Sequence, residues 1–208
     1  MKISALIPAY NEQETIGDIV AVLNDSEQVD NIIVINDGST DNTGAVACRA
    51  GAGVIRLESN KGKGAALQRG FEQLQTDIIL LLDGDLIGLQ KQHVNKLLAP
   101  ILEDLADMTV GVFTQGRGLT DLAQKVSPNL SGQRAIKMEM IREMKDVARE
   151  GFGFEIFLSR YIREHGRLEF VELSGLTHVM KEEKMGIIPG LIARGRMYWD
   201  IIRTLMNV

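Results

Sequence analysis

The sequence predicts an α/β fold built on a central, mostly parallel sheet flanked by helices. Three observations carry this. Short aliphatic runs alternate with amphipathic stretches over residues 1–114, as βαβ units do. The run 78–82 is unbroken Ile and Leu, the pattern of a buried strand. The runs 3–7, 32–35 and 77–82 close at Pro8, Asn36 and Asp83, residues that turns favour. A chain of 208 residues is long enough for one such domain with a substantial core.

The elements follow in order. Residues 3–7 form a strand closed by Pro8, and residues 12–23 a helix with Ile16, Ile19, Val20 and Leu23 on one face. A second strand, 32–35, ends at Asn36-Asp37-Gly38-Ser39. A helix over 41–50 follows, with Ser39 or Asp41 as its cap. Cys48 lies on this apolar helix and is expected to fill the core. Strand 54–57, helix 64–74, strand 77–82, helix 90–104 and strand 108–113 complete the alternation. Beyond residue 114 the texture changes. Gln115-Gly116-Arg117-Gly118 reads as a loop whose glycines could hinge a lid. Helices are expected over 136–149 and 154–165, a strand over 168–173 and an amphipathic helix over 187–208. No Pro-, Gly- or Ser-rich linker separates the halves. The expected organisation is one domain, 1–208, with a nucleotide half (1–114) and an acceptor half (115–208).

Composition narrows the function. The net charge of −5, from 23 basic and 28 acidic residues, argues against a nucleic-acid partner. A single cysteine excludes an intrachain disulfide and a multi-cysteine zinc site. No apolar run reaches the roughly 18 residues of a membrane span, and no leader pattern opens the chain, so a cytoplasmic location is expected.

The most informative segment is Ile78-Ile79-Leu80-Leu81-Leu82-Asp83-Gly84-Asp85. A buried strand ends abruptly at two carboxylates with a glycine between them, and a turn there can aim both into one pocket. Paired acids at such a place are costly without a cation. A divalent metal shared with a diphosphate meets that need; capping the next helix is the plainer alternative. In open parallel sheets ligands bind beyond the carboxyl ends of the strands. Four successive ends here are polar: Pro8 to Glu12, Asn36 to Asp41, Asn60 to Gly64, and Asp83 to Asp85. The first lacks the Gly-x-Gly-x-x-Gly of a dinucleotide site. Lys61-Gly62-Lys63-Gly64 is not a P-loop, but glycines and a lysine at a helix start suit an anion. A solvated basic turn is the alternative.

Together, Ile-Pro-Ala-Tyr-Asn-Glu (7–12), Val-Ile-Asn-Asp-Gly-Ser-Thr-Asp (34–41), Asn-Lys-Gly-Lys-Gly (60–64) and Leu-Leu-Asp-Gly-Asp-Leu (81–86) resemble the family 2 glycosyltransferases with the A-type nucleotide-sugar fold. A looser similarity to glucosyl-3-phosphoglycerate synthases rests on Gly-Phe-Gly-Phe-Glu-Ile (151–156) and Thr-His (177–178). The resemblance implies that Pro8, Ala9 and Glu12 line a base and ribose pocket. Asp37 would bond uracil beside Ser39, and Lys63 would approach the base or diphosphate. Asp83 would face the ribose or sugar. Asp85 and His178 would bind Mg²⁺ or Mn²⁺. One departure is Asn36, where many relatives carry Asp. Another is the short acceptor half, which a second subunit could complete.

The expected reaction is metal-dependent transfer of a sugar, most simply glucose, from a UDP-sugar to a small phosphorylated acceptor. Asp85 and His178 would hold the Lewis acid on the diphosphate, and Glu155 is the candidate for general base or for orienting sugar or acceptor. Arg117, Arg134 and Lys137 are candidates for an anionic acceptor, weighed against plain surface charge. The apolar, arginine-bearing stretch 187–208 suits core packing or a homodimer, or a membrane surface and a polyprenyl-phosphate acceptor. Nucleotidyl transfer and a non-catalytic nucleotide-sugar binding module are the remaining alternatives.

Overall fold

The computed structural model describes residues 1–114, 131–144 and 154–179. The chain runs β1 (Ile3–Ala9), α1 (Ile16–Asn24), β2 (Asn31–Asn36), α2 (Thr43–Arg49), β3 (Gly53–Arg56), α3 (Lys63–Gln73), β4 (Ile78–Leu81), β5 (Leu86–Ile87), α4 (Lys91–Leu102) and β6 (Met108–Thr114). It continues with β7 (Arg134–Lys137), α5 (Met138–Glu143), α6 (Phe154–His165), β8 (Leu168–Ser174) and β9 (Thr177–His178). The expected alternation over the first half is present. Arg117 with its neighbouring glycines, and the stretch 187–208, lie outside the described residues.

Seven strands form one sheet in the order β3-β2-β1-β4-β7-β6-β8. All neighbours are parallel except at β7, which is antiparallel to both β4 and β6. The carboxyl ends of β1, β2, β3, β4, β6 and β8 therefore share one edge, and β7 brings its amino end to that same edge. Alternate side chains enter two separate cores, as the strand period requires. Ile3, Ala5, Ile7 and Leu80 pack with Ile16, Ile19, Val20 and Leu23 of α1 and Val94, Leu97, Leu98 and Ile101 of α4. Leu6, Ile79, Leu81 and Ile136 pack with Leu67 and Phe71 of α3, Met140 and Ile141 of α5, and Phe154, Leu158 and Ile162 of α6. The result is a three-layer α/β/α arrangement whose strands are covered on both faces.

Two expectations change. The helix expected over 136–149 is, within the described residues, the strand β7 followed by the six-residue α5. Ala135 and Ile136 fill a gap between β4 and β6, and ladder pairing with both neighbours outweighs the local helical period. Cys48 is exposed. Helix α2 buries Thr43 and Ala47 instead, so the apolar run around Cys48 does not mark its inner face. The N-cap position is Asn42, not Ser39 or Asp41, and it makes no side-chain cap bond. Asp41, one residue earlier, accepts the Thr43 N–H at 2.9 Å in the turn that leads into the helix.

A second, two-stranded sheet pairs β5 with β9, placing Leu86 opposite His178. This pairing returns the chain, nearly a hundred residues later, to the turn that follows β4.

Candidate functional site

The site is built where β4 ends. Hydrophobic burial fixes Ile78–Leu82, and the chain turns at Asp83-Gly84-Asp85. A Cβ on Gly84 would lie 3.1 Å from the Ala9 Cβ and 3.3 Å from the Glu12 Cγ. A side chain here would press on the end of β1, so glycine lets the turn lie close to it. Thr15 Oγ1 fixes the turn by donating to the Gly84 carbonyl at 2.6 Å.

Asp83, Asp85 and His178 come together there. Each offers one ligand atom, and the three atoms lie within 4.8 Å of one another. His178 Nε2 stands 3.3 Å from Asp83 Oδ2 and 3.9 Å from Asp85 Oδ1. Its ring rests against Phe113, with centroids 4.9 Å apart, and the Val179 N–H bonds the Asp85 carbonyl at 3.0 Å. Donors at about 2.1 Å from an octahedral ion stand about 3 Å apart when adjacent and about 4.2 Å when opposite. Two carboxylates and an imidazole at these separations fit Mg²⁺ or Mn²⁺.

Lys63 opens α3 and crosses to the same place. Its Nζ lies 2.5 Å from Asp83 Oδ1 and 2.6 Å from Glu155 Oε1. Burial opposes its charge, but the two carboxylates outweigh that and hold its pKa above the usual lysine range. Asp83 shows the reverse balance. Burial would raise its pKa, yet Lys63 and the hydrogen bond from His178 hold it well below the usual carboxylate range. For His178, burial disfavours the imidazolium, but Asp83 and Asp85 more than compensate and raise its pKa.

Pro8, Lys63, Gly132, Arg134 and Glu155 line a small recess floored by Leu67, Leu81, Leu82 and Phe154. Glu155 sits in the first turn of α6 and is buried. Of the sequence candidates, Pro8, Lys63, Arg134 and Glu155 thus share one recess, with Asp83, Asp85 and His178 beside it. Ala9 and Glu12 flank Gly84. Asp37 and Ser39 stand at the end of β2, bonded into the surrounding loops. Asp37 Oδ1 and Oδ2 accept the Lys61 and Gly62 N–H groups, each at 2.8 Å, and so shape the loop that delivers Lys63. Ser39 Oγ accepts the Asn11 N–H at 3.0 Å, and Asn36 Oδ1 accepts the Ser39 N–H at 2.9 Å. Asn36 does this as a neutral side chain, so the departure from Asp preserves a turn bond.

Of the acceptor candidates, Arg134 lines the recess and Lys137 is corrected. Arg134 is fully buried, not a surface charge. Its Nε donates to the Ser131 carbonyl and its Nη1 to Ser159 Oγ, both at 2.8 Å. Burial lowers its pKa to about 10, with Glu155 and Asp83 supporting its charge. Lys137 lies at the far end of β7, beyond the opposite edge of the sheet, paired with Asp104 and Asp107 at 2.8 Å each. An antiparallel strand sends its two ends to opposite edges, so Lys137 cannot serve an acceptor at this site.

Sequence reasoning missed Gly132 and Gln133. A Cβ on Gly132 would overlap both Asp83 carboxylate oxygens, and Gln133 Nε2 donates to Asp83 Oδ2 at 2.8 Å. The available signal was a polar Ser-Gly-Gln-Arg stretch running into a buried strand.

A family model described as glycosyl transferase family 2 matches residues 4–166. Glycosyltransferase AglJ of Haloferax volcanii is 35% identical over 169 residues, covering 72% of this chain and 54% of that protein. The glucosyl-3-phosphoglycerate synthase of Mycobacterium tuberculosis is 30% identical over 193 residues, covering 75% and 59%. The chain thus spans somewhat more than half the length of these two relatives. A crystal structure of the M. tuberculosis synthase with Mn²⁺ and UDP-glucose superposes with a TM-score of 0.82 at 27% identity, covering 99% of this chain and 78% of that one. The same enzyme with Mn²⁺, UDP-glucose and phosphoglyceric acid gives a TM-score of 0.74 at 25% identity, covering 93% and 79%.

Proposed function

The chain belongs to glycosyl transferase family 2, and from that membership we propose that it transfers glucose from UDP-glucose to a small phosphorylated acceptor of the phosphoglycerate kind. The observation that carries the reading is the convergence of Asp83, Asp85 and His178 beside Lys63 and Glu155 at the carboxyl edge of the sheet. The mycobacterial synthase, crystallised with Mn²⁺, UDP-glucose and phosphoglyceric acid, supports the choice of donor and acceptor.

Family membership and the grouping of these residues at one sheet edge support the following roles. Residues 1–114 supply the donor side and 115–208 the acceptor side of one transferase unit. Pro8, Ala9, Glu12, Asp37 and Ser39 surround the base and ribose. Asp85 and His178, with Asp83 alongside, would hold Mg²⁺ or Mn²⁺. When bound, the ion supplies Lewis-acid stabilisation of the departing diphosphate. Lys63 adds a fixed cation on the same side, and its present carboxylate partners keep it protonated at neutral pH. Asp83 faces the sugar side. Glu155, buried and aimed into the recess, orients sugar or acceptor, or takes the acceptor proton if the reaction inverts. Arg134 keeps positive potential beneath the recess.

The test is transfer from UDP-glucose to 3-phosphoglycerate in the presence of Mn²⁺, followed by UDP release and product mass. Turnover that needs the acceptor and the metal, and that falls at least about a hundredfold in Asp85→Ala, is expected. UDP-glucose binding without transfer to any phosphorylated acceptor would reduce the protein to a binding module.

A further inference from the structure

The segment that precedes β7 wraps the Asp83 carboxylate. Gly132 presents bare backbone against it, and Gln133, fully buried, donates its side-chain amide to Asp83 Oδ2 at 2.8 Å. The same Nε2 lies 3.4 Å from His178 Nε2. The amide thus bonds Asp83, in the turn after β4, at the place where His178 of β9 meets the same carboxylate oxygen at 3.3 Å.

The orientation of that amide is fixed. An ionised carboxylate only accepts, so the NH₂ must face Asp83. The remaining oxygen, Gln133 Oε1, accepts from Ser131 Oγ at 2.9 Å. Ser131 is itself held, since its carbonyl accepts Arg134 Nε at 2.8 Å. Arg134 Nη1 donates to Ser159 Oγ, which donates to the Glu155 carbonyl, both at 2.8 Å. Asp83 and the helix that carries Glu155 are thus the two ends of one buried chain of hydrogen bonds.

We infer that Gln133 is a positioning residue for metal binding, its amide held by Ser131 so that the Asp83 carboxylate is presented beside Asp85 and His178. The inference rests on the metal-dependent reading above and assigns a residue that reading did not use. Outer partners of this type set ligand orientation, and losing one typically weakens metal binding roughly 10–100-fold. A purely structural amide would affect stability without such coupling.

The experiment is a Mn²⁺ titration at saturating UDP, following the electron paramagnetic resonance signal of free Mn²⁺. It compares the unaltered protein, Gln133→Met, Ser131→Ala and the double variant, with a thermal melt of each. Gln133→Met is expected to weaken Mn²⁺ binding at least about tenfold and Ser131→Ala by a smaller factor. The double variant should be no weaker than Gln133→Met, because Ser131 acts through the amide. Mn²⁺ binding by Gln133→Met within twofold of the unaltered protein overturns the inference, as does full additivity in the double variant. If Gln133→Met does not fold, Ser131→Ala decides, and a weakening of less than about twofold overturns the inference. Failure of the unaltered protein to bind Mn²⁺ would remove the metal reading and this inference together, whereas normal binding with unaffected variants removes the inference alone.

Discussion

Replacing Arg134 with Met should cost more stability than any surface-charge change in this chain. The side chain is fully buried and donates two charged hydrogen bonds at 2.8 Å, to the Ser131 carbonyl and to Ser159 Oγ. Charged hydrogen bonds contribute about 1.5–3 kcal/mol each, a gross loss of about 3–6 kcal/mol for two. Methionine keeps most of the stem packing and removes the cost of desolvating a guanidinium, which acts in the opposite direction. It also leaves the buried Glu155 with less positive potential nearby. The net expectation is a loss of about 3 kcal/mol, near the lower end for breaking a buried charge network. In a chain of this length that corresponds to a fall of roughly 6–12 °C in Tm. Urea unfolding followed by circular dichroism, with an unchanged m-value, measures it directly. Arg134→Lys should recover only part of the loss, because an ammonium cannot reproduce the planar fork. A loss below about 1 kcal/mol for Arg134→Met would place the residue among ordinary surface charges and refute the reasoning.

Other outcomes are equally definite. Gly132→Ala puts a methyl into the space of the Asp83 carboxylate, so Mn²⁺-dependent UDP binding should weaken at least about tenfold by calorimetry, while Gly166→Ala should not affect it. Cys48 is exposed and should react completely with a thiol reagent without denaturant, and Cys48→Ser should alter stability by less than about 0.5 kcal/mol. The Asp107 carboxyl is held well below the usual range, mainly by hydrogen bonds from Arg167, then by Lys137. A depressed folded pKa stabilises fully above the unfolded value near 4 and is lost as pH falls below it. The stability gap between the unaltered protein and Asp107→Asn should therefore be constant above about pH 5 and close in more acidic solution. UDP binding at neutral pH should be unaffected, since this network lies at the opposite edge of the sheet.

The first half of the fold was legible because its strands are covered on both faces. Residues such as Ile32–Ile35 and Ile78–Leu82 then appear as unbroken aliphatic runs ending in turn residues. The strand-end candidates were legible for the same reason, since parallel strands deliver all their carboxyl ends to one edge. The strand β7 was hidden. It is four residues long, carries a charge at each end, and leads directly into α5, so Ile136, Met140, Ile141 and Met144 mimic one helical face. The burial of Arg134 depends on Ser131, Ser159 and Glu155, which only the tertiary structure assembles. The same holds for Gln133. A polar residue before a short strand gives no local sign that it will meet an aspartate fifty positions earlier and a histidine forty-five positions later.

One calorimetric series decides whether Asp83, Asp85 and His178 form a metal site serving a nucleotide diphosphate. UDP is titrated into the protein with and without Mn²⁺, and the titration is repeated with Asp85→Ala and His178→Ala. Binding is expected to depend on Mn²⁺ in the unaltered protein and to be lost in Asp85→Ala. In His178→Ala it should weaken at least about tenfold, and all three proteins should melt similarly. Metal-independent binding that survives in Asp85→Ala, or no UDP binding under either condition, would contradict such a site.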